Sequence, residues 1–339
     1  MDRAPMRTLN RRVLAHFDTG SLDQAPDVLL APASDFTSLA RHAADQKMMQ
    51  RATHVVGWGG EIPEPGDFTT KDVAGTPVVL IRGKDGEARA FVNACLHRGA
   101  TVAAGCGNAQ RLTCPYHAWS YDTEGRLAGV PDRNSFDADL LANRTLKALP
   151  TSEPAGLLVI SLDPTTHVEG VLDQLLPELT TFAFSRYSHA ETRVFHLRTN
   201  WKLGVDVNFE GYHFPYLHKD SLFPFCTNNS VVDTFGDNCR WAFPFRDIVA
   251  LHEVPEVSWP KEFVGVVVYG LFPSCVLVQS RGGAAQMIRV YPGETPGTCT
   301  IYVTTSHVGP ILTEEDRAEA DSIMEALCRV LCGGTGACS

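Results

Sequence analysis

Two pairs of metal-binding side chains stand out in the 339-residue sequence: Cys95 with His97, and Cys114 with His117, separated by the sixteen residues from Arg98 to Thr113. Two thiolates on one iron and two neutral imidazoles on the other are the donor set of a Rieske-type [2Fe–2S] centre, a one-electron carrier. Exchanging two thiolates for neutral rings removes negative charge from the cluster, which raises its reduction potential and leaves an imidazole edge by which an electron can depart. A zinc ion could use the same four residues, but zinc sites more often combine CxxC with HxxxH spacing. Gly99, Gly105 and Gly107 would let two loops wrap a cluster, with backbone N–H groups directed at its sulfurs.

A second constellation runs from Asn200 to His218 (NWKLGVDVNFEGYHFPYLH). Two histidines and a carboxylate on one face of Fe(II), with open positions opposite, make an oxygen-activating facial triad. His213 and His218 are five residues apart, roughly 140° around an ideal helix and too far to converge, so a bend or a π-type turn near Pro215 is expected to bring them together. Glu210 lies one turn before His213, on the same helix face, where it can accept a hydrogen bond from a ligand histidine. Alone, an HxxxxH spacing reads more readily as two structural histidines. Its company is what makes it informative.

The elements that must position these groups follow from periodicity. Apolar spacing predicts a helix over Phe36–Arg51. From Val55 the texture changes to short apolar runs broken by turns: Pro77–Arg82, a hairpin turn at Lys84–Gly86, Ala88–Asn93, and Ala118–Tyr121 before a turn at Asp122–Gly125. Such spacing indicates a small all-β domain from about residue 50 to 160. Beyond it, Gly156–Leu162 and His196–Lys202 read as strands and Val205–His218 as a helix interrupted at Pro215. Val264–Tyr269, Ser274–Gln279, Ala285–Tyr291 and Thr298–Ser306 read as four successive antiparallel strands. Glu314–Val330 reads as a long amphipathic helix, with Thr313 as its N-cap. The fold class is α+β, with domains at 1–48 (a segment with a helix), 49–160 and 161–339.

A formal net charge of −10 argues against nucleic acid as a partner, because phosphate binding needs a basic face. No apolar run is long enough for a membrane span, and the N-terminus lacks the apolar core of a secretory signal, so a cytoplasmic location is expected. The eight cysteines other than Cys95 and Cys114 have no metal-ligand neighbours, and most read as small buried apolar residues.

The segments Gly57-Trp58, Ile62–Phe68, Pro77–Arg82, Asn93–Ala100 and Cys114–Tyr121 (CPYHAWSY) together resemble the Rieske domain of the Rieske non-heme iron oxygenases, the aromatic ring-hydroxylating α-subunit type. The resemblance implies a Rieske domain preceding a helix-grip (START-like) antiparallel-sheet domain that ends in a long helix. It implies [2Fe–2S] binding by Cys95, His97, Cys114 and His117, and mononuclear Fe(II) binding by His213 and His218. In the family, the acidic residue three before the first of these histidines bridges to a Rieske histidine of a neighbouring subunit, because the two centres of one chain lie too far apart. Glu210 takes that role here, which implies a homotrimer. The expected partners are an NAD(P)H-dependent flavin reductase, a ferredoxin between the two proteins where one is used, O2 and a small organic substrate. The expected reaction is mono- or dioxygenation, or demethylation, of a small aromatic compound. Phe209, Phe214, Tyr216, Phe223, Phe225 and Trp241 are candidates to line the pocket. A quaternary ammonium would want an aromatic cage and a carboxylate.

One part of the family pattern is not found. The third iron ligand should be an acid on a late helix. Asp316 is a formal candidate, but the chain runs on into Leu331–Ser339 with no side-chain carboxylate. The expectation is a chain truncated at its C-terminus, with the third carboxylate unassigned and the catalytic domain incomplete. The rival reading is therefore a non-catalytic Rieske electron carrier or redox sensor.

Overall fold

The computed structural model describes residues 4–279 and 284–308. The chain divides into two units. One comprises Lys47–Leu176 with Ala183–Ser188; the other comprises Met1–Gln46, Pro177–Phe182 and the chain from His189 onward.

The first unit is built from short antiparallel strands. A five-stranded sheet holds Asp67–Val73 and Thr76–Arg82 at its centre; one three-stranded sheet lies within its span of sequence and another is formed by strands on either side of it. The run Pro77–Arg82 is strand because its β-branched residues pack fully buried between neighbours, with Val78 paired to Val92 and Ile81 to Arg89. The small sheet of Leu112–Thr113, Ser120–Tyr121 and Leu127–Gly129 carries the second Cys/His loop between its first two strands. Residues 118 and 119, expected to be strand, are not: Ala118 takes a left-handed conformation (φ 55°) that closes the loop.

The second unit is organised by one seven-stranded antiparallel sheet. Its order is Tyr187–Leu197, Cys299–Val308, Ala284–Pro292, Cys275–Gln279, Gly265–Leu271, Asn238–Pro244 and Val231–Phe235. The four strands expected from the pattern are present as successive antiparallel neighbours. Period-2 alternation gives this sheet two distinct faces. Paired residues Trp241 and Val268, then Phe243 and Val266, lie on one face; Arg240 and Tyr269 lie on the other. The first face receives the helix Trp201–Asp206. Gly204 makes that approach possible, because a Cβ there would stand 3.2 Å from Val290 and 3.6 Å from Ile301.

Two readings of the sequence are corrected here. His196–Lys202 is not one strand: the strand ends at Leu197 and a helix starts at Trp201. The reason is a helix cap, with the Asn200 side chain accepting the Lys202 N–H at 3.0 Å. Val205–His218 is likewise not one helix kinked at Pro215. The helix passes into a 3-10 turn at Val207–Phe209, opens at the extended Glu210 (φ −141°, ψ 143°), and restarts as Phe214–Leu217. Pro215 sits in the first turn of that new helix, where its missing N–H costs nothing. The N-terminal helix Ala4–Thr19, which the sequence pattern did not disclose, buries Leu9 and Val13. Residues 309–339, with the expected Glu314–Val330 helix, Asp316 and the truncation, lie outside the described residues.

On the second face of the large sheet, Arg240 donates to Glu178 and, at 2.6 Å, to Asp233, while the Tyr269 hydroxyl donates to Glu178. Asp233 in turn accepts from Arg12 at 2.8 Å, tying the N-terminal helix to the sheet. Burial works against the Arg240 charge, but Glu178 and Asp233 more than offset it and raise its pKa. Removing one carboxylate from such a pair leaves an under-compensated buried cation. Glu178→Ala should therefore cost about 3 kcal/mol in urea unfolding, clearly more than Asp85→Ala, which breaks a more exposed pair.

Candidate functional site

The two Cys/His loops have the same internal geometry. In the first, the Cys95 N–H donates to Ala100 O at 2.8 Å and the Gly99 N–H returns to Cys95 O at 2.8 Å. In the second, the Cys114 N–H donates to Trp119 O and the Ala118 N–H returns to Cys114 O, both at 2.9 Å. Gly99 (φ 75°) and Ala118 (φ 55°) occupy matching left-handed positions, four residues after each cysteine. Asn93 holds the far side of the first loop: its side-chain oxygen accepts the N–H groups of Val102 and Ala103, and its amide donates to Ala103 O.

Both cysteines are buried in one apolar cluster with Val79, Ile81, Leu112, Trp119 and Tyr121. The Tyr121 hydroxyl stands 3.2 Å from Cys95 Sγ and accepts the Leu96 N–H at 3.0 Å. Burial first, and then the Cys95 contact, raise the Tyr121 pKa, so this phenol remains a donor to sulfur. The two histidines are neighbours, with ring centroids 4.6 Å apart. Their environments differ. His97 stacks on Trp119 and meets the edge of Phe136, whereas His117 is exposed beside Tyr116. Desolvation, reinforced by His117 and Arg98, lowers the His97 pKa and keeps the ring neutral.

These residues fit a [2Fe–2S] cluster. His97 Nδ1 is buried with no hydrogen-bond partner, an arrangement that costs free energy unless a metal takes the lone pair. The donors come as a buried sulfur pair and a facing imidazole pair.

In the second unit, His213 and His218 cap the two ends of the short helix Phe214–Leu217, with ring centroids 5.1 Å apart. The Glu210 carboxylate accepts the Tyr212 N–H at 2.7 Å, the His213 N–H at 3.3 Å, and a short contact from His213 Nδ1. Ser221 Oγ lies 3.3 Å from His218 Nδ1. Both Nδ1 atoms therefore have partners within the chain, which leaves the two Nε2 atoms as the donors for a metal. That donor set fits mononuclear iron as two of its three protein ligands. No third carboxylate joins them among the described residues.

Aromatic side chains back the pair. The Phe214 ring lies 5.1 Å from Phe243 and 5.9 Å from Trp241, and Trp241 and Phe243 are 4.6 Å apart. All three are buried. Of the other aromatics expected at a pocket, Tyr216 and Phe225 are exposed, and Phe223 carries the Arg246 guanidinium over its ring at 4.9 Å. Phe209 reaches Gly270, standing 2.9 Å from where a Cβ would be. Phe243 was missed in the sequence, although the Trp-x-Phe spacing of a strand already places it beside Trp241.

Comparison with known proteins gives a consistent set of likenesses. The family model for the Rieske [2Fe-2S] domain matches residues 53–150, and that for the ring hydroxylating alpha subunit (catalytic domain) matches 184–330. A glycine betaine monooxygenase oxygenase subunit of Chromohalobacter salexigens is 31% identical over 217 residues, which are 62% of this chain and 47% of that protein. A carnitine monooxygenase oxygenase subunit of Acinetobacter pittii is 35% identical over 162 residues, 47% of this chain and 44% of that protein. The chain spans about half the length of the curated relatives it matches. Among solved structures, a quaternary ammonium Rieske monooxygenase in complex with L-carnitine superposes with a TM-score of 0.73 at 22% identity, covering 88% of this chain and 82% of that one. Naphthalene 1,2-dioxygenase from Rhodococcus sp. superposes with a TM-score of 0.68 at 19% identity, covering 95% and 80%. At these identities the structural likeness is one of fold.

Burial, with the His213 ring adding to it and Glu210 opposing it, pushes the His218 pKa down to about 4. A neutral imidazole is the form that binds metal. Because the folded pKa lies below the ordinary value of about 6.5, the unfolded chain binds the extra proton first as pH falls. The metal-free protein should therefore lose roughly 2 kcal/mol of stability between pH 6.5 and 4, after a discount for screening, and His218→Gln should flatten that limb of a urea-denaturation pH series.

Proposed function

The chain belongs to the Rieske non-heme iron oxygenase family, and we propose that it is the oxygenase component of such a system, oxidising a quaternary ammonium compound. The two iron centres that this family implies supply one-electron storage and the reductive activation of O2. Electrons come from a separate NAD(P)H-dependent flavin reductase, directly or through a ferredoxin. Cys95, Cys114, His97 and His117 hold the cluster. The exposed His117, rather than His97 with its ring packed between Trp119 and Phe136, is the edge that faces another subunit. Glu210, exposed on the second unit, receives that edge in a homotrimer. A quaternary ammonium Rieske monooxygenase of like fold, described as showing inter-subunit electron transfer, supports this arrangement. His213 and His218 hold the mononuclear iron as two of its three protein ligands.

The observation that carries the reading is the His213–His218 pair set against the Phe214–Trp241–Phe243 cluster. A quaternary ammonium has no N–H to donate, so aromatic faces and nearby carboxylates are what can recognise it. Those rings also exclude water from the reacting bond. Several relatives are named for glycine betaine or carnitine, which favours this class over an aromatic hydrocarbon. The overall reaction consumes one O2, two electrons and two protons. One oxygen atom enters a C–H bond beside the quaternary nitrogen and the other leaves as water. The resulting carbinolamine loses a proton from its hydroxyl, and its C–N bond breaks to give an aldehyde and a tertiary amine.

With a reductase and NADH, oxygen uptake should rise with glycine betaine or carnitine and match aldehyde formation one to one. His213→Ala should lower both by at least about 100-fold while leaving the cluster spectrum intact. Substrate-independent uptake that is equal in His213→Ala would instead make the chain a non-catalytic electron carrier. Uptake with aromatic compounds alone would overturn the substrate class.

A further inference from the structure

The segment Asn200-Trp201-Lys202 contributes no ligand and no substrate contact, yet each of its three side chains is tied to a stretch of chain far earlier in sequence. Asn200 Nδ2 donates to Phe36 O at 2.9 Å and to Pro296 O at 2.8 Å. Trp201 Nε1 donates to Asp45 Oδ2 at 3.1 Å. Lys202 Nζ donates to Asp35 O at 2.9 Å and makes a short ion pair with the same Asp45 oxygen. Arg41 closes the carboxylate's other oxygen at 3.5 Å. The Asp45 side chain is only 8% exposed.

We infer that Asp45 is a positioning residue for the His213–His218 pair, acting through Trp201 and Lys202. The inference rests on the reading of those histidines given above. The helix Trp201–Asp206 has six residues, too few to hold itself together or fix its own direction. Its far end is closed by Asn208, whose amide donates to Gly204 O and Val205 O, and the next residue but one is Glu210. Direction set at Asp45 is thus carried through a capped, hydrogen-bonded stretch to the carboxylate that orients His213. The lever is long. At about 1.5 Å per helical residue, a tilt of about 5° at Asn200 moves the chain near Glu210 by about 1 Å, a misplacement able to cost a catalytic site about 100-fold. A carboxylate suits the task because it binds an indole N–H, an ammonium and a guanidinium at once, three donors that fix it from different sides.

The test compares Asp45→Ala, Lys202→Met and the double variant with the unsubstituted protein, using hydrogen exchange and Co(II) binding. Amides from Gly204 to His218 should exchange about tenfold faster in either single variant, the Co(II) dissociation constant should rise about tenfold, and the double variant should be no worse than either single one. The visible spectrum of the cluster should be unchanged, and Asp45→Asn, which keeps the acceptor for Trp201, should recover part of the effect. Faster exchange spread evenly over the large sheet would make Asp45 a general stabiliser and overturn the inference, as would local exchange unchanged in all three variants. Should the unsubstituted protein bind no Co(II), the reading of the histidine pair fails, while the exchange pattern still decides the role of Asp45.

Discussion

The Glu210 carboxylate is held by three donors from the residues just after it: the N–H groups of Tyr212 and His213, and the His213 ring. This can happen only because the backbone at Glu210 is extended, so that the chain turns back under its own side chain. A continuous helix would set His213 and His218 roughly 140° apart. Here the two histidines instead cap the opposite ends of a helix of only four residues, and their ring centroids are 5.1 Å apart. One local interaction thus orients a candidate ligand and fixes which ring nitrogen is free.

The rest of each unit can be understood as support for a small number of such contacts. The large sheet gives one face to Trp241, Phe243 and the histidine-bearing segment, and buries a charge network with Glu178 on the other. In the smaller unit two loops repeat one design, a cysteine whose carbonyl is closed four residues later by a left-handed residue. Burying both sulfurs while leaving one imidazole edge exposed separates the store of the electron from its exit. Among the described residues no helix is long and apolar enough to cross a membrane.

Much of this was legible in the sequence because it is local. The Cys/His spacing, the β-branched run at Pro77–Arg82 and the four strands from Val264 onward carry their signals within a few residues. The break at Glu210 was not legible: Pro215 is a strong helix punctuator, and it drew the expected kink to itself, whereas in the fold it opens the second helix. Asn200 falls inside the expected strand His196–Lys202, whereas its side chain caps a new helix at Lys202. Asp45 could not have been found, since Trp201 and Lys202 lie more than 150 residues away and a buried aspartate on a helix has no pattern of its own. Phe243 could have been, from strand alternation with Trp241.

In the proposed function, Glu210 is the route between the two centres. Stopped-flow absorbance of the pre-reduced cluster, mixed with O2 and glycine betaine, reads that route in a single turnover. With Glu210→Gln, reoxidation of the cluster should slow by about 100-fold while its spectrum stays the same. Reoxidation at the unsubstituted rate would contradict the account.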